Sequence, residues 1–213
     1  MTDLATQAKW DKAAPTFDLM AGRGAEERWH PVKHALFNRM GEGRILFMAL
    51  GTGLDIAAFP PGKTITGIDI SPAMLEVAAP RVTAYDGELE ARVMDVHELD
   101  FPDDHFDQVF TACTFCSVPD PVNGLRSLHR VLKPGGELCM FEHTGSRFFP
   151  FSAMMQLMTL LTEKIGPSMN RRTVNNVVAA GFELEEVNHV FLDVVKTIIA
   201  KKPDAPTTPT TSG

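Results

Sequence analysis

Apolar positions fall into two rhythms along this chain. Short apolar-rich runs at 44–50 (RILFMAL), 64–70 (TITGIDI), 90–95 (EARVMD), 106–113 (FDQVFTAC) and 137–143 (ELCMFEH) read as strands. Ile45, Leu46, Phe47 and Met48 are unbroken, as in a strand buried on both faces of a parallel sheet. Helical spacing occupies the intervals at 71–82 and 121–132, and KPGG at 133–136 reads as a turn. Ser71 is placed to cap the first of these helices, with Pro72 at its first position. Upstream, 3–14 and 26–40 read as helices, the first stopped by Pro15. Downstream, a helix at 172–182 closes at Gly181, and the runs 183–191 and 193–202 follow too closely for a crossover. Two strands joined so tightly are antiparallel neighbours. Strand–helix alternation ending in such a hairpin predicts a doubly wound, mostly parallel α/β sheet. The pattern divides the chain into helical residues 1–40, an α/β body at 41–202 and a Pro/Thr-rich tail at 203–213, expected to be disordered.

Composition narrows the field. The chain has 213 residues, 44% of them hydrophobic, enough for one α/β domain with a sizeable core. A formal net charge of −7 argues against a long nucleic acid as partner. No apolar run is long enough to span a bilayer, and the first residues lack a signal-peptide core, so residence in the cytoplasm is expected. Cys113, Cys116 and Cys139 read as reduced core residues rather than metal ligands.

The candidate chemistry lies at the strand ends. Gly51 and Gly53 follow the first strand, where a tight turn would let a ligand approach the backbone. A dinucleotide fingerprint wants a third glycine, but Ile56 stands there, which weighs against a pyrophosphate and a nicotinamide dehydrogenase. Asp69 ends the second strand and can accept hydrogen bonds from both hydroxyls of a ribose. Asp95 ends the third and can accept one from an exocyclic adenine amine. Ribose and adenine without two phosphates suggest S-adenosylmethionine.

In their order, ALGTGLD, GIDISPAML, MDVHEL, FDQVFTACTFCSVPDP and HRVLKPGGEL strongly resemble the class I S-adenosylmethionine-dependent methyltransferases over about residues 40–200. The resemblance implies a Rossmann-like, seven-stranded sheet with an antiparallel last strand, helices of residues 1–40 as a lid, and S-adenosylhomocysteine as product. It places Gly51, Thr52 and Gly53 beside the methionine part, Asp69 at the ribose, and Ile70 and Met74 about the adenine. Asp95 and Val96 would meet the adenine edge, and Thr111 and Ala112 the amino-acid end. The family's strand motif often carries an acid and a glycine where this chain has Phe47 and Ala49.

The acceptor must be read from the decorations. WDKAAPTFDLM resembles the entry segment of quinone C-methyltransferases and of short bacterial phospholipid N-methyltransferases, with Phe17 in place of a tyrosine. The short chain favours the phospholipid enzymes, so methylation of phosphatidylethanolamine towards phosphatidylcholine is expected. The alternatives are a quinone-ring or other small-molecule methyltransferase, and a non-enzymatic cofactor-binding module. Residues 148–161 (FFPFSAMMQLMTLL) are uncharged and read either as a buried helix or as an interfacial one admitting acyl chains. Trp10, with Lys9 and Lys12, could rest the first helix on the inner face of the membrane. Arg171 and Arg172 are candidates for a head-group phosphate, or an ordinary solvated helix start. An ethanolamine amine must lose a proton before attack, which costs roughly 4 kcal/mol at neutral pH. His143 could take that proton or serve only as a cap, and Asp18 could assist. Trp10, Phe17 and Trp29 could surround a cationic head or belong to the core.

Overall fold

A computed structural model describes residues 3–21, 23–146, 148–150, 152–154, 157 and 171–204. Seven strands form one sheet in the order β3-β2-β1-β4-β5-β7-β6. They are β1 (Arg44–Met48), β2 (Thr64–Asp69), β3 (Glu88–Val93), β4 (Phe106–Ala112), β5 (Leu132–His143), β6 (Glu183–Phe191) and β7 (Val195–Lys201). Pairing is parallel from β3 through β5, and β7 is antiparallel to both β5 and β6. The order reverses beside β1, so the carboxyl ends of β1 and β4 flank the crevice where ligands bind in such sheets.

The helices follow the sequence pattern, with changes at their ends. They are α1 (Leu4–Ala13), α2 (Phe17–Ala21), α3 (Arg23–Phe37), α4 (Pro72–Ala84), α5 (Pro121–Val131) and α6 (Thr173–Ala179). Ser71 caps α4 by accepting from the Met74 amide at 3.1 Å, as its position predicts. Asp120 caps α5 in the same way, accepting from the Asn123 amide. Leu125, Leu128 and Val131 on α5 and Val177 on α6 pack into one core, while Phe37 on α3 and Ala78 on α4 join the other. The sheet is therefore covered on both faces, which is why β1 is buried from Ile45 to Met48.

Three expectations need correction. KPGG does not stand outside the sheet: β5 starts at Leu132 and runs through it, with a register shift between Phe106 and Gln108 absorbing the irregularity. The second expected helix is displaced towards the N-terminus, spanning 23–37 rather than 26–40. The third strand is shifted as well, spanning 88–93 rather than 90–95, so Asp95 lies two residues past it; the five-residue α2 was not visible in the pattern. Most of 148–161 and the tail from 205 lie outside the described residues. No helix among the described residues is long and apolar enough to cross a membrane.

Candidate functional site

A cavity of about 350 Å³ opens on the carboxyl edge of the sheet, over the ends of β1 to β4. The turn after β1 forms its floor. Gly51 and Gly53 take φ values of +58° and +78°, which glycine adopts without steric cost. A Cβ at Gly51 would meet nothing within 4 Å, so the backbone lies open to a ligand there. At Gly53 a Cβ would press on Ile56 and Ala78, because α4 packs closely behind the turn. Ala49, where the resembled motif has glycine, keeps a glycine-like φ of +58°. Thr52 between the glycines is fixed from outside the cavity. Its hydroxyl donates to Asp18 at 2.5 Å, and its carbonyl accepts from Arg81 at 2.7 Å.

The two predicted acids both line the cavity. Asp69 accepts from the amides of Gly51 at 2.8 Å and Ser71 at 2.9 Å. Burial raises its pKa, and those backbone bonds offset the rise only in part. Each carboxylate oxygen has a second lone pair, so it can still accept from a ribose hydroxyl. Asp95 accepts from the His97 amide at 2.9 Å and from His97 Nδ1–H at 2.8 Å. Its other oxygen accepts from the Asp3 amide at 3.0 Å. Burial works to raise the Asp95 pKa, but these bonds outweigh it, and the pKa is lowered.

The N-terminal segment walls the cavity on its open side. Thr6 and Trp10 on α1 and its capping residue Asp3 line it, and α1 has no buried residue of its own. Polar clasps hold this segment down. Besides the Asp3–Asp95 bond, Asp11 accepts from the Ser71 hydroxyl at 2.5 Å, and Asp18 pairs with Arg81 at 2.7 Å. Phe17 and Trp29 also line the cavity: the Trp10 ring meets that of Phe17 edge-on at 6.1 Å, while Trp29 packs on Phe141 and Phe191, with ring centroids 5.9 and 6.1 Å away.

On the β4 side, Ala112, Cys113 and Thr114 line the cavity. Their loop is latched by Glu142 on β5, a carboxylate with no exposure. It accepts from the Thr111 hydroxyl at 2.9 Å and from the amides of Thr114 and Phe115 at 3.1 and 3.2 Å. Burial pushes its pKa up to about 7 against those three bonds. Cys113 is not a core residue as expected: it opens onto the cavity while protein surrounds it, and burial raises its thiol pKa well above the usual value. Lys33 on α3 and Asp55, in a 3-10 turn at Leu54–Ala58, form an ion pair of 2.8 Å and also line the cavity.

Of the predicted cofactor residues, Gly51, Thr52, Asp69, Ile70, Met74, Asp95, Val96 and Ala112 line the cavity. Gly53 and Thr111 support it from behind, through packing on α4 and the bond to Glu142. These residues fit the cofactor expected from the resemblance: an open glycine turn and two buried acids with accepting capacity to spare. Trp10, Phe17 and Trp29 line the same cavity, but four other candidates do not. His143 lies off the cavity with its pKa lowered by burial and by Lys196. Asp18 has both oxygens engaged, by Thr52 and Arg81. Arg171 donates to the Val118 carbonyl, and Arg172 precedes α6 without capping it by a side-chain bond. Sequence reasoning missed Glu142, Lys33 and Asp55. The signal for Glu142 was an acid inside an apolar strand; Lys33 and Asp55 meet only through tertiary folding.

Comparison with known proteins agrees with this geometry. A family model described as a methyltransferase domain matches residues 46–140. A ubiquinone/menaquinone biosynthesis C-methyltransferase of Geotalea daltonii is 35% identical over 154 residues, covering 68% of this chain and 66% of that one. Its counterpart in Citrifermentans bemidjiense is 30% identical over 175 residues, covering 78% and 74%. A phosphatidylethanolamine N-methyltransferase of Cereibacter sphaeroides is 33% identical over 126 residues, covering 58% and 62%. The chain thus spans roughly two thirds to three quarters of the length of the two quinone enzymes. Among solved structures, the [4+2]-cyclase SpnF superposes with a TM-score of 0.72 at 18% identity, covering 94% of this chain and 97% of that one.

Proposed function

The chain belongs to the class I S-adenosylmethionine-dependent methyltransferases, and from that membership we propose that it methylates a flat, apolar acceptor of the hydroquinone type. One observation carries the reading. Trp10, Phe17 and Trp29 line one cavity with Asp69 and Asp95, whereas His143, Arg171 and Arg172 are not among its lining residues. The three candidates for deprotonating an ethanolamine and holding its phosphate are thus not among the described residues that line the cavity. What remains suits a ring that stacks and excludes water. The quinone C-methyltransferases among the relatives support the same preference.

When bound, S-adenosylmethionine supplies an electrophilic methyl group on a sulfonium. The chain's own residues position the partners. Asp69 accepts from the ribose hydroxyls, Asp95 from the adenine amine, and the bare backbone at Gly51 lets the cofactor lie close. Trp10, Phe17 and Trp29 orient the acceptor ring, and α1 excludes water over the reacting atoms. Transfer would break the sulfonium–methyl bond to leave S-adenosylhomocysteine, form the bond to a ring carbon and release that carbon's proton to the medium; the protein's share of catalysis on this reading is mainly positioning for in-line transfer.

A phospholipid amine is the second reading, favoured by the similarity to the phosphatidylethanolamine enzyme and by aromatic rings able to flank a cation. Both acceptors reside in membranes. Reversible contact with the inner face of the membrane belongs to the proposal, supported by exposed Leu4, Leu19, Phe148 and Phe149. The test is a comparison of cells with and without the expressed chain, profiling extracted quinones and lipids by mass spectrometry. New ring-methylated quinone supports the first reading; methylated head groups alone would replace it with the second.

A further inference from the structure

We propose that Lys33 and Asp55 together receive the amino-acid end of the cofactor, Asp55 facing its ammonium and Lys33 its carboxylate. The inference rests on the cofactor and is independent of which acceptor is used.

The position where related strands often carry an acid holds Phe47. That side chain is fully buried and packs against Phe37 and Phe59, with ring centroids 5.6 and 4.8 Å away. β1 therefore offers no carboxylate to an ammonium. The cavity supplies one elsewhere. Asp55 follows the glycine turn by two residues, and its partner Lys33 reaches in from α3. Both line the same cavity as Gly51 and Asp69, and their side chains are only 16% and 8% exposed.

Order along the sheet edge gives the pair its place. Asp95 follows β3, Asp69 ends β2, Gly51 follows β1 and Cys113 follows β4. Lys33 Nζ lies 5.9 Å from the ring centroid of Phe141 on β5, which puts the pair on the β4–β5 side, across β1 from Asp95. Adenine at Asp95 and ribose at Asp69 leave the methionine arm pointing past the glycine turn towards that pair.

Charge pattern completes the argument. An α-amino acid presents an ammonium and a carboxylate on one carbon. A lysine and an aspartate 2.8 Å apart present the opposite pattern. Placing one zwitterion against the other alternates the four charges and adds no net charge to the cavity. A buried ion pair is poor evidence for stability, because desolvation offsets much of its attraction. Recognition of a zwitterion gives these two residues a use that folding alone does not.

The test is calorimetric titration with three probes. S-adenosylhomocysteine carries both groups, S-adenosyl-3-thiopropylamine carries only the ammonium, and 5′-methylthioadenosine carries neither. Lys33→Met should weaken S-adenosylhomocysteine on the order of 10- to 100-fold, without weakening the other two. Asp55→Asn should weaken S-adenosylhomocysteine and the thiopropylamine but leave methylthioadenosine unchanged. Lys33→Arg, which keeps the charge, should retain most of the affinity. Unchanged binding of S-adenosylhomocysteine to Lys33→Met or Asp55→Asn would overturn the proposal. So would an equal loss for methylthioadenosine, since the pair would then only shape the fold.

Discussion

The backbone amide of Asp3 donates to Oδ2 of Asp95 across 3.0 Å, tying the start of α1 to the acid that follows β3. With the Asp11–Ser71 bond, this fastens a helix that buries no residue of its own. The helix is thus held by a few polar bonds rather than by the core. Deleting residues 1–14 should leave the sheet folded by circular dichroism. It should weaken S-adenosylhomocysteine binding by tenfold or more, on the order of one or two charged hydrogen bonds. Full affinity in the truncated protein, measured by calorimetry, would show that α1 contributes no wall to the bound state.

Asp69 joins the glycine turn to the start of α4 through the amides of Gly51 and Ser71. Asp69→Ala should therefore reduce both stability and affinity. Two amides lose their acceptor at about 1–3 kcal/mol each, visible as a fall in melting temperature. The ribose loses its partner as well, and affinity should drop on the order of 10- to 100-fold. A folded variant that binds S-adenosylhomocysteine as well as the parent would refute the ribose assignment.

Glu142 gives a signature in pH. Its pKa is about 7 in the folded chain, raised by burial above the ordinary 4.5. Between those values the folded state binds more protons than the unfolded state, so stability falls as pH rises. The fall amounts to roughly 3 kcal/mol, is complete just above pH 7, and is absent below about pH 4.5. Urea titrations across this range should show that Glu142→Gln removes the slope. An identical pH dependence in parent and variant would place the Glu142 pKa near its unfolded value.

Much of this was legible in the sequence because it is local. The strands are apolar runs, Ser71 precedes Pro72, and the acids stand at or just past their strand ends, Asp69 closing β2 and Asp95 two residues after β3. The catalytic candidates lie off the cavity lining where tertiary placement decides. His143 stands at the carboxyl edge as expected, yet the edge is wide and the cavity lies over β1 to β4. Asp18 looked like a free acid in a linear motif, but Arg81, 63 residues away, claims it. The arginines before α6 have the right charge and the wrong place. Lys33 and Asp55 could not be found as a pair, since no local pattern links residues that meet only when α3 packs beside the glycine turn.

Ala49 offers a check on the departure from the motif. Its φ of +58° lies in the left-handed region, which costs a residue with a Cβ about 1–2 kcal/mol. Ala49→Gly relieves that strain and gives part of the gain back through the freer unfolded chain. A net stabilisation of about 0.5–1 kcal/mol is expected in thermal melts. Destabilisation would mean that the alanine methyl packs usefully enough to offset the backbone.

The most direct measurement is a methyl-transfer assay offering both acceptors to the purified chain at once. The mixture holds methyl-tritiated S-adenosylmethionine, a prenylated hydroquinone kept reduced, and phosphatidylethanolamine, both in detergent–lipid vesicles. The account predicts label on a ring carbon of the quinone, and loss of that label when Trp29→Ala removes part of the aromatic lining. Label confined to the ethanolamine nitrogen, with the quinone untouched, would contradict it.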